Sequence, residues 1–186
     1  GQKHKQELTQ AKEIAELAGV EYKVFDIQGL LGGSSLTNHN KDHNEAHLQN
    51  NDLPASFTAG RNALFLTLAS SFGYGLGITN IVTGPCQTDY SGYPDCRQEF
   101  IDSQMQTLSL ALDTTIKIHT PLMYLTKAET WKLAKELNCF EIVRDYSMTD
   151  YNGDLTKNEW GYGVNNNPAT ALRVKGFEEA KAAGWI

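Results

Sequence analysis

Asn80-Ile-Val-Thr-Gly84, then Asp95-Cys-Arg-Gln-Glu-Phe-Ile-Asp-Ser-Gln-Met-Gln-Thr-Leu-Ser-Leu-Ala-Leu112, then Ile116-Lys-Ile-His-Thr-Pro-Leu122 form the stretch that decides the fold. The first piece is a short apolar strand ending in glycine. The second is a helix whose Phe100, Ile101, Met105, Leu108 and Leu112 share one face. The third alternates like a strand until Pro121 interrupts it. A strand, a helix and a second strand make a parallel pair with a crossover, and parallel sheets are covered on both faces. The fold class expected is therefore α/β, with ligands beyond the carboxyl ends of the strands.

Outward from that unit the pattern repeats. Lys3–Ala18 carries Leu8, Ala11, Ile14, Ala15 and Leu17 at helical spacing, with Gly19 as its stop, and Tyr22–Ile27 reads as a strand. Residues 28–57 are polar, rich in Asn and His, and are expected to form a mobile lid. Asn62–Leu76 reads as a helix buried on most sides. Thr126-Lys-Ala-Glu129 is a capping box that opens a helix through Leu137. Asp150–Asn167 is turn-rich, and Pro168 fits the first turn of a closing helix to Ala183. The whole, 1–186, is expected to be a single domain, with 150–186 a region of its own character.

Composition narrows the function. A net charge of −6 with no basic patch argues against direct nucleic-acid contact. The apolar runs are too short to cross a bilayer, and residues 1–186 hold no run that reads as a signal peptide. Three cysteines, Cys86, Cys96 and Cys139, without a CxxC pair suit a reducing compartment. A cytoplasmic protein without membrane contact is the expectation.

Three places could carry chemistry. Thr83-Gly-Pro-Cys-Gln-Thr-Asp-Tyr-Ser-Gly-Tyr-Pro-Asp-Cys-Arg97 follows the strand at 80–84. Gly84 leaves the backbone open to a ligand, while Gln87, Thr88, Asp89, Tyr93, Asp95 and Arg97 offer acceptors, donors and an aromatic face for a flat polar heterocycle. The alternative is an Asx- and Pro-rich turn with Asp95 capping the next helix. Arg61 and Asn62 open a helix, and Lys127 lies in the first turn of another. The helix dipole disfavours cations there unless an anion is near, so phosphates are the expected partners. His39, His43 and His47 have helical spacing but read as a solvated loop rather than a metal site. Asp150, Asn152, Asp154, Thr156 and Asn158 imitate the start of a calcium loop, but Leu155 and Gly161 stand where its Gly and Glu belong. No metal ligands are assigned.

These segments resemble successive signatures of the 7-cyano-7-deazaguanine synthases. The matching runs are Gly60-Arg-Asn62 with Phe65-Leu66, Thr83-Gly84 with Thr88–Arg97, Thr120-Pro-Leu-Met with Lys127-Ala-Glu-Thr-Trp131, and Tyr151-Asn-Gly153. The run Ser-Gly-Tyr-Pro-Asp-Cys-Arg is the most specific. The resemblance implies an N-type ATP pyrophosphatase: a doubly wound parallel sheet, adenine nucleotide alpha hydrolase-like, with its first βαβ portion lying before residue 1. It implies ATP and Mg²⁺, a small-molecule deazaguanine carboxylate and ammonia as partners, and a homodimer. The carboxylate would be activated as an acyl-adenylate, aminated to the amide, and dehydrated to the nitrile on the way to queuosine or archaeosine. It assigns Lys127, Arg97 and Asp95 to catalysis, Gln87, Thr88, Asp89 and Tyr93 to the base, and Arg61, Asn62 and Gly84 to ATP.

The sequence departs from that family in three respects. The Ser-Gly-Gly-x-Asp-Ser pyrophosphate loop does not occur in residues 1–186, so this stretch alone is not expected to be active. Gln87 stands where the family usually has Glu. Family members also hold a structural zinc with four Cys, one just before Tyr-Asn-Gly and three in a following knot. Here Asp150, Trp160, Asn167 and Thr170 stand about where those thiolates belong, and zinc is expected to be absent. These departures leave open a related enzyme that joins the carboxylate to another amine, or a binding relic without catalysis.

Overall fold

The computed structural model describes residues 4–27, 29–32, 34–37, 53, 55–87 and 93–186. In chain order the elements are α1 (Gln6–Ala18), α2 (Arg61–Tyr74), β1 (Asn80–Val82), a 3₁₀ turn (Pro94–Cys96), α3 (Gln98–Ala111), β2 (Lys117–His119), α4 (Lys127–Glu136), α5 (Phe140–Tyr146), β3 (Lys157–Asn158), β4 (Gly161–Tyr162) and α6 (Pro168–Ala182). The chain divides into two compact units, Thr58–Thr126 and Gly1–Phe57 with Lys127–Ile186.

In the unit Thr58–Thr126, β1 and β2 run parallel, with Asn80 opposite Lys117, Ile81 opposite Ile118 and Val82 opposite His119. The crossover between them is α3, as the alternation requires. Ile101 and Leu108 of α3 close on Leu66 of α2, Ile116 and Ile118 of the second strand region, and Met123. Phe100, Met105 and Leu112 pack against the same cluster. Each such aliphatic side chain, fully buried, stabilises the fold by roughly 1.5–3 kcal/mol. Ser109 joins the end of α3 to β2: its Oγ donates to the Met105 carbonyl (2.8 Å) and accepts from the Ile116 N–H (3.0 Å).

Among its described residues the other unit is helical apart from the β3–β4 hairpin and connecting segments. Its core is Ala128, Trp131, Phe140, Phe177 and Ala180, with Val143, Trp160 and Ile186 packed on it. The Trp131 ring lies 5.6 Å from Phe140 and 5.3 Å, edge to face, from Phe177. Helices α4 and α6 approach closely at Gly176, where an added Cβ would lie 2.8 Å from the Lys127 carbonyl carbon and 3.1 Å from the Ala128 nitrogen. Gly19 ends α1 in the left-handed conformation (φ 64°), as its position after Ala18 predicts.

Four expectations change. Tyr22–Ile27 forms no strand, because no described strand pairs with it, and Val24 and Phe25 remain exposed. Helix α2 buries one face, Leu66, Ser70 and Gly73, while Phe65 and Phe72 face outward. Residues 140–146, assigned to no element from the sequence, form α5, pinned by Phe140 on Trp131. The helix expected from Asp95 starts at Gln98, since Arg97 is extended (φ −86°, ψ 150°). Most of the segment read as a lid, residues 38–52, lies outside the described residues. Its flanks are packed: Ser34, Ser35, Leu36, Ala55 and Phe57 are buried, and the Ser35 N–H donates to the Ala55 carbonyl (2.8 Å).

Candidate active site

The carboxyl ends of β1 and β2 lie side by side, and the Thr83 N–H donates to the His119 carbonyl (3.0 Å) one step past the ladder. The chains leaving the two strands stay together. The Gln87 N–H donates to the Met123 carbonyl (2.8 Å), and the Cys86 thiol points at the Leu125 carbonyl (2.8 Å). The motif segment after β1 is thus anchored at the edge of the sheet where parallel folds place ligands. Gly84 sits at its start; a Cβ there would meet the Leu122 side chain at an ordinary 3.7 Å, so the protein's own packing does not demand glycine.

Asp95, Asn62 and Cys96 form the firm part of this region. Asp95 is buried, and its Oδ2 accepts from the Asn62 backbone N–H (3.1 Å). The Asn62 side-chain amide donates back to the Asp95 carbonyl (2.9 Å) and to the Cys96 sulfur (3.4 Å). Asp95 therefore caps α2 from 33 residues away in sequence, not α3 as a local reading suggests. The anion that compensates the α2 dipole beside Arg61 is the protein's own, so the dipole no longer singles out Arg61 as a phosphate ligand; its motif alone does. Burial pushes the Cys96 thiol up and Asp95 adds to that, while the Asn62 hydrogen bond and the Arg61 charge work the other way. Cys96 is a packed, protonated thiol rather than a nucleophile.

Arg97 is half-exposed at the start of α3, with Glu99 3.7 Å away. Tyr93 precedes the 3₁₀ turn and its carbonyl accepts from the Cys96 N–H (3.1 Å). Thr88 and Asp89, expected to hold the base, lie outside the described residues. Lys127 opens α4 in the other unit, its carbonyl accepting from the Thr130 hydroxyl (2.7 Å). The structure thus brings Asn62, Asp95 and Cys96 together directly, with Arg61, Gly84, Gln87, Tyr93 and Arg97 in the same unit.

Gln98 was missed from the sequence. Its backbone N–H donates to Gln87 Oε1 (3.0 Å), while its side chain contacts Asp102 (2.8 Å) and the Thr120 hydroxyl beyond β2 (3.4 Å). Gln87 therefore caps α3 with a neutral oxygen. Gln87→Glu would place a carboxylate on that helix N-terminus, favoured by about 0.3–1 kcal/mol. The melting temperature should rise by about 1–4 °C. A fall would show that the Gln87 side chain does not cap α3.

Among the described residues no three His, Cys, Asp or Glu side chains gather to hold a metal ion, and no helix is long and apolar enough to cross a membrane. A cavity of about 360 Å³ in the other unit is lined by Phe140, Arg144, Asp145, Lys157, Asn158, Glu159, Phe177 and Lys181. Its charges answer one another, Arg144 with Asp145 (2.6 Å) and Lys181 with Glu159 (2.8 Å), and it contains no motif residue.

The family model described as "Queuosine biosynthesis protein QueC" matches residues 1–181. The chain belongs to the QueC family. It is 44% identical over 180 residues to the 7-cyano-7-deazaguanine synthase of Bacillus subtilis (strain 168), covering 96% of this chain and 78% of that protein. It is 46% identical over 181 residues to the 7-cyano-7-deazaguanine synthase of Bacteroides fragilis (strain YCH46), covering 96% and 80%. The QueC assignment agrees with the mixed helix–strand architecture and its parallel pair.

Proposed function

We propose that this chain is the body of a 7-cyano-7-deazaguanine synthase, an ATP-dependent carbon–nitrogen ligase serving queuosine biosynthesis. The observation that supports the reading is the anchoring of residues 83–87 beyond the carboxyl ends of the parallel pair, in a chain whose residues 1–181 match the QueC model. In the chemistry implied by the family resemblance, the carboxylate of 7-carboxy-7-deazaguanine attacks the α-phosphate of ATP and pyrophosphate leaves. Ammonia then attacks the acyl carbon, expelling AMP and losing a proton to give the amide. A second adenylation, on the amide oxygen, turns that oxygen into a leaving group; loss of AMP and of the amide protons leaves the nitrile.

Asn62 and Asp95 keep the start of α2 and the 3₁₀ turn after Tyr93 in fixed register; Gln87, Thr88, Asp89 and Tyr93 are the residues for the base. Lys127, Arg97 and Arg61 are the cations for the phosphates and for the charge that develops as pyrophosphate departs. Mg²⁺, when bound, would screen the phosphate oxygens; among the described residues no three His, Cys, Asp or Glu side chains gather to hold it. The doubly wound extension of the sheet, a βαβ portion carrying the pyrophosphate loop, closure of residues 28–57 over the ligand, a cytoplasmic location and a homodimer belong to the same proposal.

The test uses the full natural polypeptide containing residues 1–186, with ATP, Mg²⁺, ammonium and 7-carboxy-7-deazaguanine. Mass spectrometry should show the nitrile, and AMP rather than ADP. A folded protein that returns the carboxylate unchanged sinks the proposal. A product joined to a different supplied amine, with no nitrile, replaces it by the conjugating reading.

A further inference from the structure

The segment 150–170 holds a fully buried carboxylate whose surroundings are complete. Asp150 is 0% exposed. Its Oδ1 accepts from the Asn152 N–H (2.7 Å) and the Asp154 N–H (3.4 Å). Its Oδ2 accepts from the Asn167 side-chain amide (3.2 Å) and the Val164 N–H (3.3 Å). Asn167 is in turn committed to α6: its Oδ1 accepts from the Thr170 N–H (3.1 Å), and its carbonyl accepts from the Thr170 hydroxyl (3.0 Å). Gly163 closes over the group with φ +122°, and a Cβ there would lie 2.9 Å from the Asp150 Cβ and 3.2 Å from the Thr170 methyl. Trp160 belongs elsewhere, packed on the Trp131–Phe140–Phe177 core with its carbonyl accepting from Arg173 (2.8 Å).

Zinc does not fit this arrangement. Structural zinc is held by four thiolate or imidazole donors at about 2.0–2.3 Å. Here one carboxylate, one amide, one hydroxyl and one indole replace the thiolates. The carboxylate oxygens and the amide and hydroxyl groups are already engaged in hydrogen bonds, and glycine backbone fills the space beside them.

We infer that the Asp150 carboxylate has taken over the cross-linking task of the family's zinc. One buried anion gathers the 152–154 turn, the chain at 164 and the N-terminus of α6, joining segments that a metal would join through its ligands. The charge is tolerable without a cation because four N–H donors surround it, one of them relaying to the first turn of α6, whose dipole favours an anion. The inference is independent of the synthase proposal, because its readouts are metal content and melting temperature rather than turnover.

The full natural polypeptide, produced in zinc-supplemented medium and purified without chelator, should carry well under one zinc per chain. Its melting temperature should move by less than about 1 °C in EDTA, since removing a ligand destabilises only where the folded state binds it. Stoichiometric zinc, or a large chelator-induced fall, overturns the inference. Asp150→Asn turns an NH₂ group toward N–H donors and should lower the melting temperature by about 5–10 °C. Adding Asn167→Asp to that variant restores a donor facing an acceptor and should recover part of the loss. If the single variant aggregates, recovery of soluble protein in the double variant is the readout. A single variant as stable as the parent, or a double variant no better than the single, overturns the inference.

Discussion

In the Lys127→Ala protein the kcat for nitrile formation falls by about 10²–10³-fold, the usual loss of one preorganised electrostatic donor, while the KM for the carboxylate base stays within about twofold. Lys127 is the first residue of α4, where the dipole disfavours a cation by roughly 0.3–1 kcal/mol. A phosphate would reverse that sign. The backbone is held from two sides, by the Thr130 hydroxyl on its carbonyl and by Gly176 of α6 against its peptide. The side chain thus starts from a fixed point, as a group that acts only when charge develops must. Steady-state kinetics on the full polypeptide decides the matter. Parental kcat in the variant removes Lys127 from the chemistry, and a raised KM for ATP with unchanged kcat would make it a ground-state ligand.

Arg173→Met lowers stability by about 3 kcal/mol, read as a melting temperature lower by about 6–12 °C. Arg173 is buried in α6 and donates to the Trp160 carbonyl (2.8 Å), the Ser147 and Thr149 hydroxyls (2.8 and 3.0 Å) and the Val143 carbonyl (3.0 Å). Its guanidinium also stacks 5.0 Å above Trp131. Methionine fills the volume but leaves four acceptors without their donor, and that loss outweighs the relief of no longer burying a charge. Arg173→Lys should fall nearly as far, because one ammonium cannot span three segments. Burial depresses the guanidinium to about 10, below its ordinary value, so folding opposes its charge by a constant amount at every pH well under 10. That opposition fades only as pH rises through 10. The stability difference between parent and variant should therefore be the same at pH 6 and pH 8. A difference that changes across that range, or a lysine variant as stable as the parent, would refute this account.

The sequence discloses what is local and hides what is not. The β1–α3–β2 unit is legible because alternation, helical spacing and the punctuation of Gly84 and Pro121 are read within a few residues. The start of α6 is legible for the same reason: Pro168 sits at its first position, and the structure adds Asn167 as its cap. Tyr22–Ile27 has the composition of a strand, but a strand exists only with a partner, and composition supplies none. Helix α5 escapes notice because its seven residues are too few to propagate on propensity; Phe140 packed on Trp131 holds it.

The site divides in the same way. Its motifs stand out as motifs, and residues 83–87, which open the longest of them, leave the carboxyl end of β1 beside the chain leaving β2. The work of Asp95 could not be read, because its partner is the N-terminus of a helix 33 positions earlier. Gln87 likewise finds Gln98 only once the chain has turned through the motif. Arg173 gave no sign of burial, since an arginine in a helix reads as a surface residue until three separate segments close around it.

The contact between Gly176 and the first turn of α4 ties the fate of two distant stretches of sequence. With Lys127 as the reacting cation, position 176 acts as a spacer that sets where that lysine begins, although it lies far along the chain from every motif residue. A methyl group there could be accommodated only by pushing the Lys127 peptide outward. Substitutions at position 176 would then be removed twice over, for the packing they break and for the lysine they displace. Drift in the C-terminal region has a fixed limit at this one glycine.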